Sequence, residues 1–354
     1  MRQYKLYEGK GNDCLTLENV DKPVIKRSTD VIVKIHALSL NARDHQFTNG
    51  IYALPVPEGG AVVTSDAAGE VVEVGSEVSD FKIGDRAEHT SPKQIGNAIG
   101  FSAVGTASEF MLVNQEDILP MPSHMSYEEG ATLPIACGTA WNSLYGSAKT
   151  IQSGDTVVCM GTGGVAVFTA AIALGAGARV IMTSSSDDKV EEVRKHLGAL
   201  ITSPDRFLTL NRKKHKETDK EVVRLNGGER ADFLVEIGGI RTLPASIRSV
   251  KKSGLIALVG YLSDQHGEEG PTEGERLPEL TSNVAKELLF SGAIVKGTYC
   301  CNREQMRQMH TAFEQTKFHP IIDKVFEFDQ LKEAYDYAQS GDHLGKIVVK
   351  VASS

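Results

Sequence analysis

The 354-residue sequence has few of the features that mark secreted, membrane-bound or nucleic-acid-binding proteins. Its five cysteines lie at no disulfide-framework or zinc-finger spacing, which predicts reduced thiols. No apolar run is long enough to span a bilayer, so no membrane partner is expected. The formal net charge of -8 disfavours nucleic acid as an obligate partner. The stretch Met1–Tyr7 is typical of neither a secretory signal nor a transit peptide, and the expected location is the cytoplasm.

The local pattern changes near residue 124, and 354 residues exceed one typical domain, so two domains are predicted. Before that point, short β segments alternate with turn signals, as in Val31–His36, Gly69–Gly75 and Phe81–Arg86. After it, strands alternate with helices, which is typical of a parallel sheet covered by helices on both faces. The candidate strands of that sheet are Val157–Met160, Val180–Thr183, Phe207–Leu210, Phe233–Ile237, Leu255–Gly260 and Ile294–Thr298.

The last part of the chain contains a predicted helix, Leu331–Ser340, and a final strand, Lys346–Val351. We expect this strand to rejoin the N-terminal domain, so that the alternating segment is an insertion. The predicted boundaries are therefore 1–123 with 308–354 for one domain and 124–307 for the other.

A glycine-rich turn in the second domain is the most specific signal. The apolar segment Thr156–Met160 leads into Gly161-x-Gly163-x-x-Ala166 and a helix of small residues. Gly161 permits a tight turn, Gly163 leaves room for phosphate beside bare backbone, and Ala166 lets the helix pack against its strand. Free N–H groups at a helix start favour an anion. The motif predicts a dinucleotide site at Gly161, Thr162, Gly163, Gly164 and Val165; the alternative interpretation is a glycine turn in the core.

The end of the next strand indicates which dinucleotide binds. Proteins that bind NAD usually place Asp or Glu about 20 residues beyond the glycines, where it accepts a hydrogen bond from the ribose. Here the hydroxyls of Ser184 and Ser185 and the nearby Lys189 would instead favour a 2′-phosphate. NADPH (NADP+) is therefore the predicted cofactor. Asp187 and Asp188 oppose this interpretation unless they belong only to the start of the following helix.

These pieces resemble the medium-chain dehydrogenase/reductase superfamily, and within it the zinc-free quinone oxidoreductase-like branch. The resemblance implies an α/β protein with a GroES-like β domain, a Rossmann domain with a doubly wound parallel sheet, and NAD(P)-dependent redox chemistry in the cleft between them. It also implies a homodimer that pairs through Ile294–Thr298. The matching segments include Ser39–Asp44, Gly50–Tyr52, Ser65–Gly75, Thr139–Trp141, Gly161–Val165, Thr183–Asp187, Val325–Phe328, Glu333–Tyr335 and His343–Lys346.

The resemblance also predicts that the protein holds no zinc. By comparison with zinc alcohol dehydrogenases, the catalytic ligand positions correspond to Asn41, Ser65 and Ile135, and these make a poor zinc site. Cys137 lies near the third position but misses it in the alignment. The four-cysteine lobe that binds structural zinc in those relatives has no counterpart.

Without a Lewis acid, reduction of a quinone or a conjugated C=C bond is easier to arrange than oxidation of an unactivated alcohol. One or two hydrogen-bond donors, worth roughly 3 kcal/mol each, can stabilise the enolate charge. Related enoyl reductases have a tyrosine in the matching Gly-x-Tyr position, so Tyr52 is the candidate donor. Asn41 could donate to the substrate or to the nicotinamide ribose. Tyr52 could equally be a packing aromatic.

Other candidates have two interpretations each. Thr139, Gly238, Gly260 and Tyr261 lie at strand ends or in the hinge, where backbone can contact nicotinamide or simply turn. Trp141 either packs at the domain junction or shapes the substrate pocket.

Two polar segments also have two interpretations each. Arg212, at the start of the basic run Arg212–Lys216, is either a clamp for the 2′-phosphate or part of a solvated charge run. Asp264–Arg276 is either a mobile loop near the active site or a distant surface excursion. The leading function is NADPH-dependent reduction of quinones or of the C=C bond of α,β-unsaturated carbonyl compounds. The alternatives are a trans-acting enoyl reductase for carrier-bound acyl chains and a non-catalytic NADPH-binding protein.

Overall fold

The computed structural model of the protein describes residues 1–52, 54–89, 105–260 and 284–351. The chain divides into two compact units, one formed by Met1–Gly138 with Cys300–Ser354 and the other by Thr139–Tyr299. The domain boundaries expected from the sequence, at residues 123/124 and 307/308, stay a prediction.

Strands and helices follow the chain in an order that differs between the two units. The strands are β1 (Arg2–Leu6), β2 (Leu15–Asn19), β3 (Asp30–Leu40), β4 (Ala61–Val62), β5 (Asp66–Val74), β6 (Arg86–His89), β7 (Phe110–Asn114), β8 (Ile118–Pro120), β9 (Thr156–Met160), β10 (Arg179–Ser184), β11 (Phe207–Asn211), β12 (Ala231–Glu236), β13 (Val250–Leu258), β14 (Ile294–Gly297), β15 (Ile322–Glu327) and β16 (Lys346–Lys350). The helices are α1 (Ala42–Thr48), α2 (Tyr127–Gly130), α3 (Gly138–Tyr145), α4 (Gly164–Gly175), α5 (Asp187–His196), α6 (Thr218–Leu225), α7 (Leu243–Ser249), α8 (Val284–Ser291), α9 (Arg303–Thr316) and α10 (Leu331–Ser340).

The discontinuous unit is built on a seven-stranded sheet in the order β15-β16-β3-β5-β6-β8, with β7 also paired to β3, and on a three-stranded sheet, β2-β1-β4. Strand β3 is long and mostly apolar, almost every residue in it is buried, and it pairs with β16, β5 and β7. Strand β16 pairs antiparallel with β3, with Ile347 opposite Leu40. This confirms that the last strand rejoins the N-terminal part of the chain.

The predicted strand Phe81–Arg86 is wrong, because residues 81–85 form a turn and β6 begins at Arg86. Gly84 has a φ of 91°, which belongs to the left-handed region that favours glycine. The Asp85 carboxylate accepts a hydrogen bond from the Lys82 N–H at 2.9 Å and closes the turn.

The second unit contains a six-stranded parallel sheet in the order β11-β10-β9-β12-β13-β14. All six predicted strands are confirmed, with ends that differ by a few residues. Strands β9 and β12 are neighbours at the point where the strand order reverses, and ligands of such sheets bind beyond the carboxyl ends of these strands. In the described ranges, no helix is long and apolar enough to cross a membrane.

Candidate functional site

The glycine turn lies between β9 and α4, at the strand-order reversal. Gly161 has a φ of 81°, and its N–H donates to the Thr183 carbonyl at 2.8 Å, which ties the turn to β10. Gly163 is the N-cap of α4, and it has no side chain that could make a capping hydrogen bond. A Cβ atom at Gly163 would have no described heavy atom within 4 Å. The first N–H groups of α4, which have no partner within the helix, therefore lie beside a position that no described heavy atom fills, and such a geometry suits a phosphate.

Serine hydroxyls lie at the end of β10, as predicted. Ser184 is buried, and its carbonyl accepts from the Arg212 N–H at 2.9 Å. Its Oγ accepts from the Ser186 N–H at 3.1 Å and can still donate. Ser186 is the N-cap of α5, where its Oγ accepts from the Lys189 N–H at 3.3 Å. Ser185 is half-buried beside them.

The carboxylate of Asp187, which opposed an NADPH site in the sequence, has two partners, one at the end of β11 and one just beyond it. Lys214 Nζ lies 2.6 Å from Asp187 Oδ2, and Asn211 Nδ2 donates to Oδ1 at 2.8 Å. The hydrogen bond from Lys214 holds the pKa of Asp187 below its usual range. A paired carboxylate repels a neighbouring phosphate less than an isolated one does.

Arg212 follows β11 directly and projects an exposed side chain. Its backbone is fixed to β10 through the hydrogen bond to Ser184. In the part of the chain that the structure describes, its guanidinium has neither an ion pair nor a hydrogen bond. This cation is therefore available to an anion from outside the chain.

Sequence reasoning missed Glu236, a fully buried carboxylate at the end of β12. Its Oε1 accepts from the N–H groups of Gly238 at 2.6 Å and Gly239 at 3.2 Å, and from Thr242 Oγ1 at 2.7 Å. Its Oε2 accepts from Ser246 Oγ. These donors offset the cost of burying the charge and fix the turn that contains Gly238. The available signal was a glutamate in an apolar strand immediately before two glycines.

The end of β13 is fixed against the same turn. The N–H of Gly260 donates to the Glu236 carbonyl at 3.2 Å, and a Cβ atom at Gly260 would lie 2.6 Å from the Ile237 carbonyl oxygen. Only glycine fits at this approach of the two backbones. Gly238 and Gly260 thus lie just beyond the ends of neighbouring strands, and their contact with nicotinamide stays a prediction.

The remaining candidates of this unit are mostly buried. The Thr139 carbonyl accepts from Ser143 Oγ at 2.8 Å inside α3. Trp141 is only 8% exposed, and its ring centroid lies 4.5 Å from that of Tyr145. Packing accounts for this contact, and a role of Trp141 in a substrate pocket stays a prediction. Tyr261 and the segment Asp264–Arg276 lie outside the described residues.

In the discontinuous unit, Asn41 belongs to a network of polar side chains. It is the N-cap of α1, in a capping box where the Asn41 N–H donates to Asp44 Oδ2 at 2.8 Å. Its Nδ2 donates to Asp66 Oδ2 at 2.8 Å, and its Oδ1 accepts from Lys346 Nζ at 2.6 Å. Ser65 Oγ donates to Asp44 Oδ1 at 3.0 Å. Asp66 and Lys346 were not among the residues predicted for the site.

The charges in this network lie almost out of contact with water. Lys346 is 3% exposed and Asp66 0% exposed, and 3.6 Å separates Nζ from Oδ2. Burial raises the pKa of Asp66 to about 7, although the Lys346 charge opposes this shift. Burial likewise lowers the pKa of Lys346, against the attraction of Asp66 and Asp44.

The residues at the zinc-ligand positions do not fit a zinc ion. Asn41 Oδ1 already accepts from an ammonium, whose charge would repel a dication. Ser65 offers a neutral hydroxyl and Ile135 offers no ligand atom. Burial raises the pKa of the Cys137 thiol, which disfavours the thiolate that zinc prefers. Within the described ranges, no group of three or more His, Cys, Asp or Glu side chains could hold a metal.

Tyr52 follows α1 in a turn held by backbone contacts. Gly50 has a φ of 69°, and a Cβ atom there would collide with the Gly9 carbonyl. The Tyr52 ring is half-buried against the core of this unit, and the Arg43 guanidinium lies 5.8 Å from the ring centroid. These contacts are compatible with both predicted roles of Tyr52, packing and donation to a substrate.

Comparison with known proteins identifies the family. Residues 27–123 match the alcohol dehydrogenase GroES-like domain, and residues 164–315 match the zinc-binding dehydrogenase domain. A zinc-type alcohol dehydrogenase-like protein of Schizosaccharomyces pombe is 36% identical over 355 residues, covering 97% of each chain. Quinone oxidoreductase of Mus musculus is 26% identical and covers 99% of this chain and 97% of its own.

A solved structure agrees with this fold. The quinone oxidoreductase from Coxiella burnetii is 22% identical, covers 99% of each chain and superposes with a TM-score of 0.76. The predicted combination of a GroES-like domain with a Rossmann-type domain is confirmed. The chain belongs to the medium-chain dehydrogenase/reductase superfamily of oxidoreductases, which bind nicotinamide cofactors.

Proposed function

We propose that this oxidoreductase is a zinc-independent reductase that uses NADPH to reduce quinones or the C=C bond of α,β-unsaturated carbonyl compounds. The observation that carries the proposal is the network at Asn41. There, an amide stands at a position that corresponds to a zinc ligand in zinc-dependent relatives, and an ammonium lies beside it. Such a site polarises its substrate by hydrogen bonds. The cytoplasmic location expected from the sequence is part of the proposal.

The cofactor residues proposed are those of the second unit. The backbone at Gly161–Val165 would hold the pyrophosphate, and the strand ends at Gly238 and Gly260, together with Thr139, would contact the nicotinamide half. Bound NADPH supplies the hydride. The residues proposed to surround its 2′-phosphate are Ser184, Ser185, Lys189 and Arg212.

The catalytic residues proposed are Tyr52 and Asn41. Each would donate a hydrogen bond to the carbonyl oxygen of the substrate, where negative charge grows as the β-carbon accepts hydride. Such donors act without the several kcal/mol of charge stabilisation that a Lewis acid supplies. Conjugated acceptors suit this arrangement, because their charge spreads onto an oxygen that hydrogen bonds can reach.

Replacing Arg212 by alanine is expected to raise the KM for NADPH roughly 10- to 100-fold and to leave the KM for NADH unchanged, because a charge-assisted hydrogen bond is worth about 1.5–3 kcal/mol. Steady-state kinetics with both cofactors measures this. Lys195→Ala removes an equal charge from the far end of α5 and is expected to change neither constant. Equal effects of Arg212→Ala on both cofactors would contradict the clamp.

We also propose a homodimer that pairs through β14, the edge strand of the six-stranded sheet. Leu289 and Phe290 on α8, which precedes β14, are 76% and 77% exposed, and exposed apolar groups together with a sheet edge that has no partner strand in the described residues favour association. Light scattering after gel filtration is expected to give a dimer mass for the native chain and a monomer mass for Phe290→Glu. Val24→Glu, at an exposed apolar residue of the other unit, is the control. A native monomer would contradict this proposal.

A further inference from the structure

Lys346 is a buried cation that donates hydrogen bonds to Asn41 and to the residue before it. It lies at the start of β16, and its Nζ donates to the Leu40 carbonyl at 2.7 Å and to Asn41 Oδ1 at 2.6 Å. Asp66 Oδ2 lies 3.6 Å away on β5. The ammonium thus makes two hydrogen bonds and one longer ion pair.

Charges of opposite sign lie on the two sides of the Asn41 amide. The oxygen faces Lys346, which can only donate, and the nitrogen faces the carboxylate of Asp66 at 2.8 Å. A rotation that exchanged the two would point N–H at an ammonium and oxygen at a carboxylate. The amide therefore has one favourable orientation.

This orientation leaves one Asn41 N–H that can serve a ligand. The first Nδ2 hydrogen donates to Asp66 Oδ2, and the second makes only a long hydrogen bond of 3.4 Å to Ser65 Oγ, which a substrate oxygen at a shorter distance would replace. Ser65, Asp66 and Lys346 are buried, whereas Asn41 is partly exposed. The second N–H is thus the part of the network that a substrate oxygen can reach.

We propose that Lys346 and Asp66 are a pair of positioning residues that fix the Asn41 amide so that its second N–H points at the substrate oxygen. The inference rests on the proposed function, in which Asn41 contacts the substrate. The pair acts through Asn41 and does not itself contact the substrate. Orientation of a single donor is enough to matter, because a small misplacement of a catalytic group costs roughly 100-fold in rate.

The test compares Asp66→Asn/Lys346→Met, Asn41→Ala and the triple variant. The double variant removes both buried charges together and leaves neither unpaired. Its kcat with 9,10-phenanthrenequinone is expected to fall roughly 10- to 100-fold, with the Kd for NADPH unchanged. The triple variant is expected to be no slower than Asn41→Ala alone. Losses that multiply, or a double variant with native kcat, would overturn the inference.

Two further measurements guard against ambiguous outcomes. If the double variant fails to fold, Asp66→Asn alone is expected to lower kcat. Lys346→Arg, which keeps the cation, is expected to retain kcat. Native kcat in folded Asp66→Asn would overturn the inference.

In protein labelled with ¹⁵N-asparagine, the Asn41 side-chain amide should show slow hydrogen exchange that Asp66→Asn abolishes. This signal needs no turnover, so a native protein that binds NADPH but reduces none of the acceptors would contradict the proposed function alone, while unaltered exchange would overturn the positioning role.

Discussion

Replacing Gly163 by glutamate is expected to weaken NADPH binding at least 100-fold, which corresponds to about 3 kcal/mol, and to leave the fold intact. The backbone at Gly163 has a φ of -77°, which any residue adopts, and a Cβ atom there has no described heavy atom within 4 Å. The new carboxylate would occupy the start of α4, where the pyrophosphate is proposed to bind, and would repel it. Fluorescence titration with NADPH measures the loss.

The matched control for this variant is Gly198→Glu. Gly198 follows the carboxyl end of α5, and a Cβ atom there also has no described heavy atom within 4 Å. Both variants are expected to melt within about 3 °C of the native protein, because each adds an unstrained surface side chain. Native affinity in Gly163→Glu would refute the proposed phosphate site, and equal losses in both variants would indicate a general charge effect.

Replacing Tyr52 by phenylalanine is expected to lower kcat roughly 100-fold with an enal or a quinone, because removal of one oxyanion donor typically costs that much. Phenylalanine keeps the ring in its contacts with the core and Arg43, so the melting temperature and the Kd for NADPH should stay native. Steady-state kinetics and thermal unfolding separate the two effects.

A second tyrosine serves as the control for the loss of a hydroxyl. Tyr7 is exposed, and its hydroxyl donates to Glu18 Oε1 at 2.5 Å in the same unit. Tyr7→Phe is expected to retain native kcat. Full turnover by Tyr52→Phe would leave packing as the role of Tyr52 and remove it from the catalytic residues.

The sheet of the second unit could be predicted because its signals are local. Each strand is a short apolar run, and the turn at Gly161 needs a left-handed conformation that only glycine adopts at low cost. The prediction of a strand at Phe81–Arg86 failed because a local pattern was again the only guide, and here the pattern was misleading. There, Gly84 and the Asp85 side chain form a turn inside a run whose alternation resembles a strand.

The charged partners at the site could not be predicted, because they depend on contacts between distant parts of the chain. Asn41 and Lys346 are 305 residues apart and meet only because β16 pairs with β3. Asp187 gains its cation from Lys214, 27 residues later, across two parallel strands. Patterns along a single sequence do not indicate which distant charged residues will meet, although each such pair decides the electrostatics of its site.

Zinc-independent reduction by NADPH is tested by the oxidation of NADPH by purified protein of measured zinc content. The acceptors are 9,10-phenanthrenequinone and a crotonyl thioester, and simple alcohols are assayed with NADP+. We expect substoichiometric zinc, rapid oxidation of NADPH with at least one conjugated acceptor and no alcohol oxidation. Stoichiometric zinc with alcohol turnover, or tight NADPH binding without reduction of any acceptor, would contradict this expectation.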